Sequence, residues 1–385
     1  MSPRAPIRRF ELKALGIPFK STFRHASAER AETASVWVEA VGDGGVSGFG
    51  ESCPRPYVTG ETLDTARAFF ERHEAVLRAE IGDQASLTVW IAAHVDELDA
   101  NPAAWCAIEL SILDLLAKKR HQTVEAFLSL PQLQGQFHYS AVLGDASFDA
   151  FRATAERYRH QGFTDFKVKL SGSLERDLEK MSVFRQWGTD PLRVRVDANN
   201  LWKSDDEAIR FLRALDYPLF AIEEPVQPNQ YAELASIGQA LGCKIVLDES
   251  FLRIGQFAQL ADSSPHWLVN LRVSKMGGLL RSLSIVEAGR ALRIGFIVGA
   301  QVGETSLLTR AALTVAAAAR DLLVAQEGAF GTFLLERDVC DPPLMFGAGG
   351  VLDVSSYPSL TEPGLSGTTW IIHPVAAFER DGHAN

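Results

Sequence analysis

Three acidic residues in the second half of the chain follow one another at a nearly constant spacing. Asp197, Glu223 and Asp248 are 26 and 25 residues apart, and each stands at or just past the end of a short apolar run. If these runs are adjacent strands, the three carboxylates converge in a partly dry cavity and repel one another strongly. A cation must balance them, and an all-oxygen ligand set suits a hard divalent ion. The spacing therefore predicts a Mg²⁺ site at these three residues, with Mn²⁺ as the alternative ion.

Lysines flank the predicted metal site on both sides. Lys167 and Lys169 alternate in a strand-like run, so their side chains share one face and point toward the carboxylates. A lysine serves as a base only when its pKa is lowered, and a neighbouring ammonium and a divalent ion both lower it. We predict that Lys169 and Lys275 are an acid/base pair and that Lys167 is a third catalytic residue. The chemistry is abstraction of the proton next to a substrate carboxylate, which forms an enediolate that the metal stabilises.

The spacing also predicts the elements that position these side chains. Eight short apolar runs alternate with helical segments after residue 131: HYSAVL, DFKVKL, LRVRVD, LFAIEE, KIVLDE, WLVNLR, IGFIVGA and LLVAQE. Polar residues recur at their ends at intervals of 25 to 28 residues: Lys169, Asp197, Glu223, Asp248, Lys275, Gln301 and Glu327. One strand–helix unit per interval predicts a (β/α)8 barrel of the TIM type, with its catalytic residues at the carboxyl ends of different strands. The second and sixth strands lie opposite each other in such a ring, so Lys169 and Lys275 approach the substrate from opposite faces. An open doubly wound sheet is the alternative, but no glycine-rich nucleotide fingerprint follows the first strand.

The N-terminal third has a different pattern, which is typical of an α+β domain. The alternating run from Ser35 to Ala40 predicts a half-buried strand, and GDGG at 42–45 predicts a turn. Apolar residues spaced by three and four predict helices over 63–79 and 103–119. A break at 131–135 divides this domain from the barrel. The predicted units are an α+β domain over 1–130, the barrel over 131–350 and a C-terminal tail over 351–385.

Composition excludes several classes of partner. The net charge is −10, and no basic block is present, which argues against nucleic acid and anionic membranes. No apolar run approaches the roughly 20 residues of a membrane span, and the first residues lack the apolar segment of a secretory signal. The four cysteines are far apart and form no Cys/His cluster, which predicts reduced thiols, a cytoplasmic protein and no zinc site.

The barrel motifs resemble the enolase superfamily, and within it the muconate cycloisomerase-like (muconate-lactonizing) subgroup. The matching segments are FKVKL at 166–170, VDANNLW at 196–202, IEEP at 222–225, LDES at 247–250 and NLRVSKMGG at 270–278. Their order and spacing are specific, and the resemblance covers nearly the whole chain. It implies the same metal ligands and the same lysine pair. It also implies that the N-terminal domain caps the barrel, that the tail from about Val351 completes this cap, and that the protein is a homo-oligomer.

The resemblance further implies which residues contact and support the substrate, a small carboxylic acid. The segment GFGESCPRPYVTGET at 48–62 resembles the capping loop that closes over the active site. The predicted substrate-binding residues, taken from the loops around Phe19 to His25, around Tyr57 and after the seventh strand, are Arg24, His25, Tyr57, Gln301 and Glu304. Asn199 and Glu249 are predicted to support the site from behind, Glu249 through a hydrogen bond to a lysine.

The eighth strand leaves the reaction type open. Glu327 resembles the proton-donor glutamate of cycloisomerases, but it is displaced by one residue from the Phe330-Gly331 pair, and one residue reverses the facing in a strand. The Asp-x-Asp pair of dipeptide epimerases is absent there, which disfavours an ordinary dipeptide epimerase. We predict a metal-dependent isomerase, either a racemase or epimerase using both lysines or a cycloisomerase using one. The alternatives are a lyase, such as an acid dehydratase or an o-succinylbenzoate-synthase-like enzyme, and a non-catalytic metal-binding protein, which would need a broken site position.

Overall fold

A computed structural model describes residues 7–25, 28–188, 192–260 and 266–365, with the side chains of 22–25 and 28–29 outside the description. The N-terminal strands are β1 (Ile7–Leu15), β2 (Pro18–His25), β3 (Ala28–Glu32), β4 (Ser35–Gly42) and β5 (Ser47–Ser52). β4 pairs antiparallel with both β1 and β5, while β2 and β3 form a separate hairpin. The predicted strand and the turn after it are therefore confirmed, but β4 is not half-buried: every residue from Ser35 to Val38 is buried.

Five helices complete the N-terminal part: α1 (Leu63–Glu80), α2 (Gln84–Ala93), α3 (Val95–Ala100), α4 (Pro102–Lys119) and α5 (Val124–Phe127). The two long predicted helices correspond to α1 and α4. Nearly every residue of α4 is buried, because it packs against β5 on one side and the barrel on another. The approach to β5 requires glycine: a Cβ atom on Gly50 would lie 1.9 Å from the Ala107 carbonyl oxygen. No described helix combines the length and apolar character needed to cross a membrane.

Eight parallel strands form the barrel: β7 (Ala141–Leu143), β8 (Asp165–Lys169), β9 (Arg193–Asp197), β10 (Ala221–Glu223), β11 (Lys244–Leu247), β12 (Trp267–Leu271), β13 (Gly295–Val298) and β14 (Leu323–Gln326). They pair in chain order, and the Ser140 amide donates to the Gln326 carbonyl at 2.8 Å, which closes the ring. A short strand, β6 (Gln136–His138), precedes them and pairs with β15 (Val351–Asp353). The predicted TIM-type barrel is confirmed.

Helices cover most of the barrel: α6 (Phe148–His160), α7 (Leu174–Gln186), α8 (Asp205–Ala214), α9 (Tyr231–Leu241), α10 (Val273–Met276), α11 (Leu279–Leu292) and α12 (Ser306–Ala318). The predicted alternation is wrong after β11 and β14, where a 3₁₀ helix (Ile254–Gln259) and an irregular segment with short 3₁₀ turns replace α-helices. Gly328, Ala329 and Gly331 have φ values of 104°, 51° and 45°. This left-handed backbone cannot continue into an α-helix.

The chain beyond the barrel returns to the N-terminal helices. The Val124 amide donates to the Gly364 carbonyl at 3.1 Å, and the Leu365 amide donates to Asp114 Oδ1 at 2.7 Å. Residues 366–385 of the predicted tail lie outside the described part of the chain. The domain boundaries at 130 and 350 stay predictions.

Buried carboxylates of the N-terminal part hold the first turns of two barrel helices. Glu51 accepts hydrogen bonds from the Thr305 and Leu308 amides at the start of α12, at 3.0 and 3.4 Å, and Glu109 accepts one from the Leu280 amide in α11 at 2.9 Å. Amides in a first helical turn have no partner within the helix, and the carboxyl oxygens of Glu51 and Glu109 supply the missing acceptors. These contacts join the cap to the barrel directly beneath the loops at the barrel mouth.

Glu51 is expected to make stability depend on pH. Burial raises the pKa of Glu51 from an ordinary 4.5 to about 8, against the opposing hydrogen bonds from Thr305. The folded protein therefore retains a proton that the unfolded chain releases, so this contribution is complete below about pH 4.5 and is lost as the pH rises toward 8. The slope is about 1.4 kcal/mol per pH unit inside that window.

Urea unfolding of Glu51→Gln between pH 5 and 8 measures this slope, because the variant cannot ionise. As the pH rises, the free energy of unfolding of the native protein should fall relative to that of Glu51→Gln. Glu71→Gln, at an exposed position of α1, is the matched control and should follow the native curve. Parallel curves for the native protein and Glu51→Gln would contradict the assignment.

Candidate active site

Three carboxylates line up across the carboxyl ends of adjacent strands. Asp197 ends β9, Glu223 ends β10, and Asp248 directly follows β11; in the ladder Glu223 stands opposite Asp197 on one side and Val246 on the other. All three are at most 2% exposed. We call Asp197, Glu223 and Asp248 the carboxylate row. Its members lie on three neighbouring strands, as the 25- and 26-residue spacing predicts.

Cationic side chains balance the carboxylate row in this structure. Lys167 Nζ lies 2.7 Å from Glu223 Oε2 and 3.2 Å from Asp197 Oδ2. The Arg272 guanidinium forms an ion pair with Asp248 and lies 4.0 Å from Glu223 Oε1. Burial alone would raise the pKa of Asp248, but Arg272 and Lys275 hold that pKa below its usual range. Burial dominates at Glu223 and raises its pKa to about 8.

The carboxylate row has the donor chemistry that Mg²⁺ requires. Its oxygens are the hard ligands this ion prefers, and Glu223 Oε2 is buried without a hydrogen bond, although Lys167 lies close to it. In the described residues, no three His, Cys, Asp or Glu side chains converge tightly enough to hold an ion as they stand. We attribute this to Lys167 and Arg272, which lie among the three carboxylates. Metal binding would require these two cations to withdraw.

The two predicted acid/base lysines lie at opposite ends of the carboxylate row. Lys169 ends β8, and its Nζ is 3.7 Å from Asp197 Oδ2 and 3.2 Å from Asn199 Oδ1. Lys275 follows β12, in α10, and its Nζ is 2.7 Å from Asp248 Oδ1. Burial lowers the pKa of both amines; Asp197 partly offsets this for Lys169, and Asp248 does so for Lys275. Both amines are therefore closer to neutrality than an exposed lysine.

Lys167 and Glu327 belong to a charged cluster below the mouth. Glu327 follows β14 and faces the barrel interior, where its carboxylate accepts from Arg195 at 2.8 Å and from Lys167 at 3.2 Å. Burial alone would raise the pKa of Glu327, but Lys167 and Arg195 lower it to about 2. Asp197, Glu223 and Glu327 overcome burial at Lys167 and raise its pKa. Glu327 is thus an ionised acceptor, which argues against the proton-donor role, and Lys167 is a fixed positive charge.

Glu224, which sequence reasoning left without a role, shapes the end of the fifth barrel strand. Its backbone is left-handed (φ 40°), which turns its side chain away from the direction of Glu223. Its carboxylate accepts hydrogen bonds from the Asp248 and Ser250 amides, both at 2.7 Å. These bonds fix the turn that carries Asp248. The paired acids of IEEP were the available signal, because strand alternation already separates two consecutive side chains.

Arg272 and Asn270 were likewise missed. Asn270 donates to Glu223 Oε1 at 3.1 Å, and its carbonyl accepts from Lys275 Nζ at 2.7 Å. Arg272 also donates to Gln301 Oε1 at 3.0 Å. Both residues precede Lys275 in NLRVSKMGG, so their polar side chains in an otherwise apolar strand were the signal for them.

Asn199 and Glu249, the two residues predicted to support the site, differ in their hydrogen bonds. Asn199 accepts a hydrogen bond from Lys169, as a supporting role requires. For Glu249 the predicted hydrogen bond to a lysine is not seen: the strand has already ended at Leu247, the side chain lines the cavity, and its Oε2 is buried without a partner in the described residues. Burial, with Asp248 and Glu224 nearby, raises the pKa of Glu249 to about 8.

Gln301 and Glu304 lie at the mouth after β13, and both line the cavity. Glu304 accepts from the Gln301 amide at 2.6 Å, which bends this loop over the site. Gln301 Nε2 is buried and has no partner in the described residues. This unpaired donor fits the predicted contact with a substrate.

Tyr57 is the cap residue in the described lining of the cavity. Residues 48–52 of the predicted capping loop belong to β5 and not to a loop. Arg24 and His25 lie in strand β2 and not in a loop, because this segment pairs with β3; their side chains lie outside the described part. Buried Arg55 donates to the Thr33 and Val302 carbonyls at 3.0 and 2.7 Å, and so ties the hairpin to the barrel mouth.

One cavity of about 540 Å³ joins these groups. This volume is within the roughly 300–1,000 Å³ range of small-molecule sites. Its lining combines charged strand-end residues, including Lys169 and Asp248, with aromatic side chains of the segment after β14. The cavity therefore offers both polar groups and apolar surface to a ligand.

Comparison with known proteins agrees with this geometry. The hydrophobic dipeptide epimerase of Enterococcus faecalis (strain ATCC 700802 / V583) is 28% identical over 338 residues, which are 86% of this chain and 92% of that protein. The N-succinyl-L-Arg/Lys racemase of Bacillus cereus is 24% identical over 312 residues, 80% of this chain and 84% of that protein. Both relatives are isomerases, which supports the predicted class of enzyme.

A crystal structure of the Enterococcus faecalis V583 dipeptide epimerase, complexed with Mg and the dipeptide L-Leu-L-Tyr, has a TM-score of 0.82 at 24% identity and covers 94% of this chain and 99% of that one. A family model described as Enolase C-terminal domain-like matches residues 150–368, more than half of the chain. The chain therefore belongs to this family, within the enolase superfamily.

Proposed function

We propose that this protein is a Mg²⁺-dependent epimerase or racemase of the muconate cycloisomerase-like subgroup, acting at the α-carbon of an N-substituted amino acid. The observation that carries the proposal is the position of Lys169 and Lys275 at opposite ends of the carboxylate row. Inverting a carbon centre requires a base on one face and an acid on the other. Relatives named as dipeptide epimerases and an N-succinyl amino acid racemase support the substrate class.

One lysine removes a proton from the substrate, and the other lysine supplies a different proton in its place. The lysine that is neutral takes the α-proton, and the C–H electron pair passes into the adjacent carboxylate. The opposite lysine, as an ammonium, donates a proton to the other face of the carbon. The lowered pKa of each amine makes both protonation states accessible. The enzyme then holds the opposite protonation pattern and can run the reverse reaction.

The carboxylate row would hold the metal, and Mg²⁺, when bound, would neutralise charge that develops on the substrate carboxylate. Asn199 orients the Lys169 amine, and the Asp248 and Asn270 carbonyls orient the Lys275 amine at 2.8 and 2.7 Å. Gln301 offers its unpaired amide donor to the substrate. A cytoplasmic location, a homo-oligomeric state and the use of Mn²⁺ remain predictions.

Proton exchange in D₂O tests the proposal. The protein with Mg²⁺ should exchange the α-hydrogen of N-acetyl-leucine or a dipeptide for deuterium, and the NMR signal of that hydrogen should disappear. Recovery of both configurations at unchanged mass, apart from deuterium, supports an isomerase. Loss of water from an acid substrate would support the lyase alternative instead, and absence of exchange across N-acetyl amino acids, dipeptides and muconates would overturn the proposal.

A further inference from the structure

Aromatic side chains of the segment after β14 line part of the cavity that the carboxylate row also reaches. Phe330 and Phe333 contact Phe346 with ring centroids 5.5 and 5.3 Å apart, and Leu334 completes the group along the cavity. We call Phe330, Phe333, Leu334 and Phe346 the aromatic wall. Phe346 is buried, whereas Phe333 is 56% exposed. A large, partly exposed apolar surface that adjoins a reactive site marks a place where an apolar ligand group packs.

The aromatic wall is continuous with the reacting groups. It begins three residues after Glu327, whose carboxylate is 3.2 Å from Lys167 Nζ, and the same cavity is lined by both. The Lys20 amide donates to the Leu334 carbonyl at 2.8 Å, so the β2–β3 hairpin is joined to the wall at the mouth. A substrate held at the carboxylate row can therefore extend a second group onto the aromatic wall.

The charged side chains that line the cavity indicate whether that second group is charged or neutral. The described carboxylates of the cavity all follow strands or the β13 loop: Asp197, Asp248, Glu249, Glu304 and Glu327. Glu327 is paired with two cations, and the charged side chain that accompanies the aromatic residues on the α6 side is Arg157. A substrate ammonium at the wall would meet a guanidinium and apolar rings, so its desolvation would go uncompensated.

Arg157 would attract an anionic substrate group only weakly. It is exposed on α6, and exposed ion pairs contribute little to binding because water and salt screen them. Aromatic surface, in contrast, gains from contact with a ring or an alkyl chain that leaves water. The wall therefore favours an uncharged apolar group over either charged alternative.

We infer that the substrate is an amino acid whose nitrogen carries an uncharged, apolar acyl group of aromatic size, and that this group packs on the aromatic wall. The inference rests on the proposed function and makes it narrower. It assigns selection of the acyl group to Phe330 and Phe333, which touch neither the carboxylate row nor the lysines in the described contacts.

A pair of substrates that differ in one ammonium tests the inference. The intact protein with Mg²⁺ is given N-(3-phenylpropanoyl)-leucine, which is phenylalanyl-leucine without its amino group, then phenylalanyl-leucine itself, N-succinyl-leucine and N-acetyl-leucine. Deuterium exchange at the leucine α-carbon reports kcat/KM for each. The phenylpropanoyl compound should exceed both charged compounds by about tenfold or more, as expected for one group in a hydrophobic pocket.

The variant Phe333→Ala tests whether the preference for the phenylpropanoyl group depends on the aromatic wall. Because Phe333 is more than half exposed, the variant should fold, and the ratio of kcat/KM for the phenylpropanoyl compound to that for N-acetyl-leucine should fall about tenfold. Ile254→Ala, at an exposed apolar residue outside the cavity lining, is the control and should leave this ratio unchanged.

The outcomes separate the inference from the proposed function. Preference for phenylalanyl-leucine or N-succinyl-leucine would overturn the inference while leaving an epimerase or racemase in place. Unchanged selectivity in Phe333→Ala would also overturn it, since the wall would then be covered by another part of the chain or by a second copy. No exchange with any of the four compounds, together with none across the N-acetyl amino acids, dipeptides and muconates named above, would overturn the proposed function itself.

Discussion

Replacing Lys169 or Lys275 with alanine should abolish inversion, with kcat falling on the order of 10³-fold or more. Each variant lacks the group that serves one face of the substrate, because the two amines lie beside opposite ends of the carboxylate row. Exchange without inversion should survive on the remaining face. Lys169→Ala should therefore still exchange deuterium into one enantiomer, and Lys275→Ala into the other.

Single-enantiomer NMR exchange and chiral chromatography of the recovered acid measure this effect. Lys119→Ala, at an exposed lysine that ends α4, is the matched control and should behave as the native protein. If both variants retained exchange of the same enantiomer, the lysines would not act on opposite faces. If only one variant lost activity, a one-base reaction would replace the proposed two-base reaction.

Removing the central member of the carboxylate row should cost activity on a similar scale. Glu223→Gln reduces the negative charge available to Mg²⁺ from three carboxylates to two, so the electrostatic attraction that holds the ion weakens. We expect a fall in kcat/KM on the order of 10³-fold, and a comparable loss on chelation of the ion that added Mg²⁺ reverses.

Titration calorimetry provides a readout that does not depend on turnover. The native protein should bind Mg²⁺, and Glu223→Gln should bind it much more weakly, whereas Glu179→Gln, at an exposed site on α7, should bind as the native protein does. Equal Mg²⁺ affinity in all three proteins would remove Glu223 from the metal site. Full activity after exhaustive chelation would remove the metal from the reaction.

The periodicity of the chain was sufficient to predict the barrel. The polar strand-end residues from Lys169 to Glu327 recur every 25 to 28 positions. One strand plus one returning helix occupies about that length, so this period predicts a repeated strand–helix unit. The pattern was less informative after β14, where an irregular segment with short 3₁₀ turns stands in place of the predicted helix. Apolar residues indicate burial equally well whether the backbone is helical or irregular.

The sequence by itself determined which carboxylates and lysines would meet at the barrel mouth, because each of them stands at or shortly after a strand end and the strand order follows the chain order. Their roles in metal binding and proton transfer stay predictions. Only the tertiary structure decided the partners of those residues. Glu327 faces Arg195 and Lys167 across the closure of the ring, and Arg272 reaches both Asp248 and Gln301. Such contacts join residues from 24 to 160 positions apart and depend on the register of each strand, where a shift of one residue reverses a side chain. The composition of the aromatic wall was visible in the sequence, but its position in the same cavity as the charged strand-end residues was not.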